Sequence, residues 1–207
     1  MKIIFDSTAL ANWNGHPTGI QRVVIETGMR LTSILPSAFL GLFDASGACF
    51  EFDLARHMRG KKIEVNQNDL IVTAGSNWDQ LDHHKRLLGF KKNGVRIATL
   101  FHDIIPIILP YSFGPGFSEI YERWFQEALA CSDLVFAVSE NTRRDIISYA
   151  CENQLRPHGL ARVHDVAHVR VVLLCLRCYT PATILIIVVT VSWNWRTGLR
   201  PSPGSGP

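Results

Sequence analysis

The sequence predicts an α/β fold in which a parallel sheet is flanked by helices. Short apolar runs typical of buried strands alternate with longer segments whose apolar residues repeat at helical spacing. Small or polar residues directly follow several of these runs, as in the sequence VRIATLFHDIIP at residues 95–106. Because ligands of such sheets bind outside the carboxyl ends of the strands, these positions are candidate site residues.

Composition narrows the classes of function. Hydrophobic residues make up 47% of the 207 residues, which is enough for a buried core. Residues 1–155 contain 15 Lys and Arg against 17 Asp and Glu, whereas residues 156–207 contain 6 against 1, so the whole positive excess of +3 lies in the last quarter. This distribution argues against a nucleic-acid partner.

The five cysteines are odd in number and predict no disulfide framework. The N-terminal apolar run is too short for a signal peptide. We therefore expect a cytoplasmic protein.

The first half of the chain predicts strands and one long helix around a glycine-containing loop. Thr18 is the predicted N-cap of the helix, and Pro36 ends it. Backbone N–H groups at such a helix start can face a ligand phosphate, although a tight turn with a cap explains the same residues. The predicted elements are strands at 2–5, 38–43, 48–52 and 69–73, a helix at 19–35, a hairpin turn at 44–47 and a polar connection at 61–69.

The second half continues the alternation of helices and strands. The small residues after the strand at 69–73 suit a close approach by ligand or backbone, which makes Gly75 a candidate for substrate binding. His83 and His84 lie on a charged helix and are expected at its surface. Ser139 is a predicted N-cap. The predicted elements are helices at 78–92, 120–129 and 140–152 and strands at 95–101 and 133–138.

The tail, residues 153–207, does not follow this pattern. From Val166 onward it has no Asp, Glu or Lys, and it ends in RPSPGSGP. Our preferred hypothesis is an out-of-frame or otherwise aberrant reading of the gene, which predicts an aberrant or poorly ordered tail. The alternative is a membrane segment, but the apolar run ATILIIVVTV is only about half of the roughly 20 residues that a span needs.

Three segments carry a resemblance to a known family: TGIQRVV at 18–24, LFHDIIP at 100–106 and DLVFAVSENTRRDI at 133–146. With them, residues 1–152 resemble the N-terminal half of group 1 (family 4) glycosyltransferases of the GT-B fold, especially bacterial mannosyl- and rhamnosyltransferases of surface polysaccharide assembly. The resemblance implies a Rossmann-like, acceptor-side domain. It also implies retaining hexosyl transfer from a nucleotide-sugar such as GDP-mannose or dTDP-rhamnose, without a cofactor or a dedicated metal.

The same resemblance implies roles for individual residues. His102 and Asp103 would be catalytic: His102 would hydrogen-bond the sugar, and Asp103 would orient the imidazole or act on the acceptor hydroxyl. The acceptor would be a polysaccharide or a lipid-linked glycan, which makes peripheral attachment to the inner face of the cytoplasmic membrane an option. The implied binding residues for substrate and donor phosphates are Thr18, Gly19, Arg22, Ser139 and Glu140.

Other interpretations stay open. The paired glutamates spaced E-x7-E of the family's donor-binding domain are absent from residues 153–207, so we expect this chain alone to be inactive. A non-enzymatic sugar-binding or interaction module is therefore an alternative. A metal-dependent phosphohydrolase with an HD dyad is another. For His102 and Asp103 the structural alternative is a buried histidine that is hydrogen-bonded to a neighbour at a strand end.

Overall fold

The computed structural model describes residues 1–11, 13, 16–17, 19–75, 77–78, 80, 82–155 and the backbone of 185–188. Strands and helices alternate along this part of the chain as the periodicity predicts. The strands are β1 (Ile3–Asp6), β2 (Ala38–Phe43), β3 (Cys49–Asp53), β4 (Met58–Ile63), β5 (Leu70–Thr73), β6 (Arg96–Phe101), β7 (Leu134–Ala137) and β8 (Leu185–Val188). The helices are α1 (Thr8–Ala11), α2 (Gly19–Ile34), α3 (His83–Lys92), α4 (Ile105–Ile108), α5 (Phe117–Cys131) and α6 (Glu140–Glu152), with a 3-10 turn at Pro110–Ser112.

The strands form one mixed sheet in the order β4-β3-β2-β1-β5-β6-β7-β8. All pairs from β2 to β8 are parallel, while β3 and β4 extend one edge as an antiparallel hairpin arrangement. The predicted α/β fold with a mostly parallel, helix-flanked sheet is thus confirmed. β8 extends the other edge and falls within the tail; the other tail residues from 156 onward, with their predictions, lie outside the described residues.

Two predicted elements differ from the structure. Residues 61–69 were expected as a polar connection, but β4 covers its first part. β4 is an edge strand with five exposed residues. Because edge strands commonly carry charged side chains, its polar sequence does not indicate that it pairs with β3. The helix predicted at 78–92 is present, but it begins only at His83, after the N-cap Asp82, and it ends at Lys92 as predicted.

The helices cover the two faces of the sheet. On one face, α2 packs Val24 against Phe5 and Leu100. On the other, α3 packs Leu87 against Ile71 and Ile97, and α5 and α6 pack on β6 and β7 around Phe101, Phe125 and Ile146. Adjacent residues of one strand, such as Ile4 and Phe5, therefore serve different cores.

The change of face occurs at β1 and β5. From β1 the chain crosses through α2 to β2 on one side, and from β5 it crosses through α3 to β6 on the other side. Such a reversal is a topological switch point, and the crevice outside the carboxyl ends of the two strands is where open α/β sheets bind ligands. Among the described residues, no helix is both long and apolar enough to cross a bilayer.

Candidate functional site

The carboxyl ends of the six parallel strands lie at the same edge of the sheet, which we call the rim. Asp6 is in register with Thr73, Thr73 with Thr99, and Phe101 with Ala137, so β1, β5, β6 and β7 end side by side. The residues that follow these strands include Gly75, His102, Asp103, Ser139 and Glu140. The fold brings these predicted site residues to one edge.

His102 is held by the neighbouring strand end. Its Nε2 lies 2.7 Å from the carbonyl oxygen of Ala74, so Nε2 carries the proton and donates it. Burial lowers the pKa of His102, against the opposing effects of the Ala74 hydrogen bond and the Asp103 charge. The neutral ring then has its lone pair on Nδ1, which can accept a hydrogen bond from a hydroxyl. This is an arrangement that can bind a sugar or take a proton from one.

Asp103, next to His102, forms hydrogen bonds that stabilise the structure around the pair. One of its carboxylate oxygens accepts the N–H of Ile105 at 2.9 Å and so orders the start of α4. Its carbonyl accepts the Tyr121 hydroxyl at 2.8 Å. Thr142 Oγ1 donates to the carbonyl of His102 at 3.0 Å. These bonds fix the backbone of the His102–Asp103 pair to α4, α5 and α6.

Ser139 and Glu140 stabilise the start of α6. Ser139 Oγ accepts the N–H of Thr142 at 3.1 Å, which confirms the predicted N-cap. Glu140 forms an ion pair with Arg143 within the helix, and hydrogen bonds from Arg143 hold the pKa of this exposed carboxyl below its ordinary value. A substrate contact by either residue would have to compete with these bonds.

The other predicted binding residues differ in their surroundings. Gly75 is buried, and a Cβ at this position would lie 2.9 Å from the Cβ of Ala9 in α1 and 3.2 Å from Asn77 Oδ1, so side chains of the protein itself make the close approach. Gly19 starts α2, and among the described residues no atom lies within 4 Å of the position of a Cβ there. Arg22 is exposed one turn later. Thr18 lies outside the described residues.

The structure reveals a buried pair that sequence reasoning missed. His83 was expected at the surface, and this is wrong: it is 4% exposed, and its Nε2 donates to Asp6 Oδ2 at 2.9 Å. Burial would raise the pKa of Asp6, but hydrogen bonds from His83 and Thr8, with the charge of His83, outweigh burial and lower it. Asp6 ends an apolar strand, but no local signal predicts a partner 77 residues away.

Two further pairs of buried polar side chains lie beside the Asp6–His83 pair along the sheet. Asn77 Nδ2 donates to Thr73 Oγ1 at 2.9 Å, and Thr99 Oγ1 lies 2.6 Å from Ser132 Oγ. All four residues are buried. Asn77 Oδ1 is buried and has no hydrogen-bond partner among the described residues. The sheet face below the rim therefore carries a row of hydrogen-bonded polar groups under α3.

Within the described ranges, no group of three or more His, Cys, Asp and Glu side chains is placed to hold a metal ion.

Comparisons of the chain with protein-family models, with curated proteins and with solved structures found no match.

Proposed function

We propose that residues 1–152 form the acceptor-side domain of a glycosyltransferase that transfers a hexose from a nucleotide-sugar. One observation carries the proposal: His102, at the end of β6, donates Nε2–H to the Ala74 carbonyl and so keeps its Nδ1 lone pair for a substrate at the rim. The position agrees with the family resemblance of the segment LFHDIIP.

The chemistry of the proposed reaction needs few groups from this domain. Glycosyl transfer passes through a sugar with oxocarbenium character and releases a nucleoside diphosphate. His102 would accept a hydrogen bond from a hydroxyl of the sugar or of the acceptor. The N–H groups at the start of α2, beginning with Gly19, would face the leaving phosphates because a helix N-terminus favours negative charge.

The proposed substrates follow from the resemblance. The donor would be GDP-mannose or dTDP-rhamnose, and the acceptor a polysaccharide or a lipid-linked glycan at the inner face of the cytoplasmic membrane. We expect no cofactor and no nucleic-acid partner. The donor's nucleotide would need a second domain with E-x7-E, so this chain by itself should bind the donor weakly.

The test is a titration of the ¹⁵N-labelled chain, followed by NMR, with GDP-mannose, dTDP-rhamnose and methyl α-mannoside as probes. We expect shifts of the amide signals of Gly75 and His102, and at least tenfold weaker binding in His102→Gln. Glutamine keeps an N–H near the Nε2 position but has no group at Nδ1.

The matched control is His84→Gln, on the part of α3 that faces α5, where His84 Nδ1 lies 3.9 Å from Glu127. This variant should bind like the unaltered chain. Shifts that avoid the rim, or equal affinity of the His102→Gln variant, would contradict the proposal.

A non-enzymatic sugar-binding module is the second candidate. Two carboxylates at the rim already bind groups of the protein: Asp103 accepts the N–H of Ile105, and Glu140 pairs with Arg143. These bonds compete with a catalytic role of the carboxylates and so favour the module. A module of this kind would bind methyl α-mannoside without consuming either nucleotide-sugar, even when a donor-binding domain is supplied in trans. Release of GDP or dTDP under those conditions would favour the enzyme instead.

A further inference from the structure

The segment that follows the His102–Asp103 pair exposes an unusual amount of apolar surface. Of the twelve large hydrophobic side chains that are exposed among the described residues, six lie between Ile105 and Ile120. The exposed fraction reaches 82% at Tyr111 and 50% at Ile108. These six, which we call the apolar patch, are Ile105, Ile108, Leu109, Tyr111, Phe113 and Ile120. Clustering of this kind marks a binding surface.

Charge is absent from most of this segment. From Ile104 to Ser118 the sequence contains no Asp, Glu, Lys, Arg or His. A surface that recognises a glycan needs several hydrogen-bonding side chains, and here the hydroxyls of Tyr111, Ser112 and Ser118 are the polar ones. The chemistry of the apolar patch therefore suits hydrocarbon better than sugar.

The backbone of the segment is also suited to an apolar medium. Leu109 N–H donates to the Ile105 carbonyl at 2.8 Å, and Ser112 N–H donates to the Leu109 carbonyl at 3.0 Å. The prolines of the segment, at 106, 110 and 115, have no N–H to satisfy. These internal bonds and the missing proline donors reduce the number of N–H groups that would be left unpaired at the boundary of a bilayer.

A second copy of the chain is a less suitable occupant. Stable protein–protein interfaces use about 20–30 residues from each partner, more than the 16 residues of the whole segment from Ile105 to Ile120. A bilayer sets no such minimum, because each inserted side chain adds its own burial. Tyr111 fits this medium, since tyrosine places an apolar ring and a polar hydroxyl at the boundary between lipid and water.

We infer that the apolar patch docks on a lipid bilayer and inserts its side chains at the boundary between headgroups and acyl chains. Asp103 ties the patch to the rim, because its carboxylate accepts Ile105 N–H and its carbonyl accepts the Tyr121 hydroxyl. Docking therefore brings His102 to the membrane surface. If the proposed function holds, on which this last step rests, the acceptor is a lipid-linked glycan in that membrane.

The experiment is flotation of the full chain with phosphatidylcholine vesicles on a density gradient. We expect the chain to float, with little dependence on salt because the patch is uncharged. The triple variant Ile108→Ser, Tyr111→Ser, Ile120→Ser should lose at least tenfold in vesicle partition. All three side chains are exposed, so circular dichroism and thermal melting should show an unchanged fold.

The control variant replaces three exposed apolar residues elsewhere, Met29→Ser, Ile34→Ser and Met58→Ser, whose exposed fractions are 53%, 38% and 59%. It should float like the unaltered chain.

The inference is overturned if the unaltered chain does not float or if both triple variants lose partition equally. It also fails if the patch variant still floats, which would assign binding to another segment such as residues 182–191. If the unaltered chain forms dimers and does not float, and only the patch variant is monomeric, the apolar patch is a self-association surface instead. The assay uses no sugar, so its result is independent of the proposed transfer reaction.

Discussion

Removal of the Asp6 carboxylate should destabilise the fold strongly, because the group is buried and has two donors. Asp6→Ala leaves His83 Nε2–H and Thr8 N–H without their acceptor; these bonds are both 2.9 Å long in the unaltered chain. Each unsatisfied buried donor costs about 1–3 kcal/mol, and breaking a buried pair costs about 3–5 kcal/mol. We expect a loss of about 3 kcal/mol in the free energy of unfolding. For a chain of this size, that loss lowers the melting temperature by about 6–12 °C.

The measurement is urea unfolding at pH 7, followed by circular dichroism, for Asp6→Ala, His83→Ala and the double variant. Because the two side chains share one hydrogen bond, the double variant should lose about 2 kcal/mol less than the sum of the single variants. The control is Asp82→Ala, an exposed carboxylate 3.3 Å from Lys85, which should cost less than about 1 kcal/mol. A loss below about 1 kcal/mol for Asp6→Ala, or strict additivity of the two substitutions, would refute this reasoning.

The pH dependence has a definite sign. The pKa of Asp6 is lowered in the folded state, so the unfolded chain binds its proton first as the pH falls. The stabilisation is complete above the ordinary carboxyl pKa of about 4 and is lost as the pH falls below it, through the folded-state pKa. The difference in stability between the unaltered chain and Asp6→Ala should therefore shrink as the pH falls from about 5 toward 3. A difference that grows on acidification would contradict this pairing.

Three further substitutions test packing, helix propensity and capping. Gly28→Ala places a Cβ at 2.7 Å from Leu40 Cδ2 and should destabilise by about 1–3 kcal/mol, whereas Gly89→Ala, with open space, should stabilise α3 by up to about 1 kcal/mol. Thermal melting of both variants checks this, and equal shifts would show that Gly28 is not confined by its neighbours. Ser139→Ala removes the acceptor of the Thr142 N–H and should cost about 1 kcal/mol in urea unfolding. A loss of sugar binding without a loss of stability would instead give Ser139 the substrate role that the resemblance implies.

Local patterns predict much of the fold. The alternation of apolar runs and helical repeats predicts the parallel sheet, and β2 lies at the predicted residues 38–43. Ser139 caps α6 because a cap acts within one turn of its own helix. Since strand order follows from right-handed crossovers, the common edge of Gly75, His102, Asp103 and Ser139 is also predictable.

Pairing between distant segments was decided by the tertiary structure. β4 appears as a polar connection in the sequence because an edge strand does not need an apolar face. The contact of Gly75 with Ala9 requires β1 and β5 to be neighbours.

The sequence by itself thus determined the α/β class, most helices and strands, and the rim with His102. The tertiary structure alone decided that His83 is buried, what holds Asp6, and which apolar side chains after Asp103 stay exposed. The physical reason is range. Periodicity and capping depend on neighbours within a turn or a strand, whereas burial and buried pairing depend on which distant segments the fold brings together.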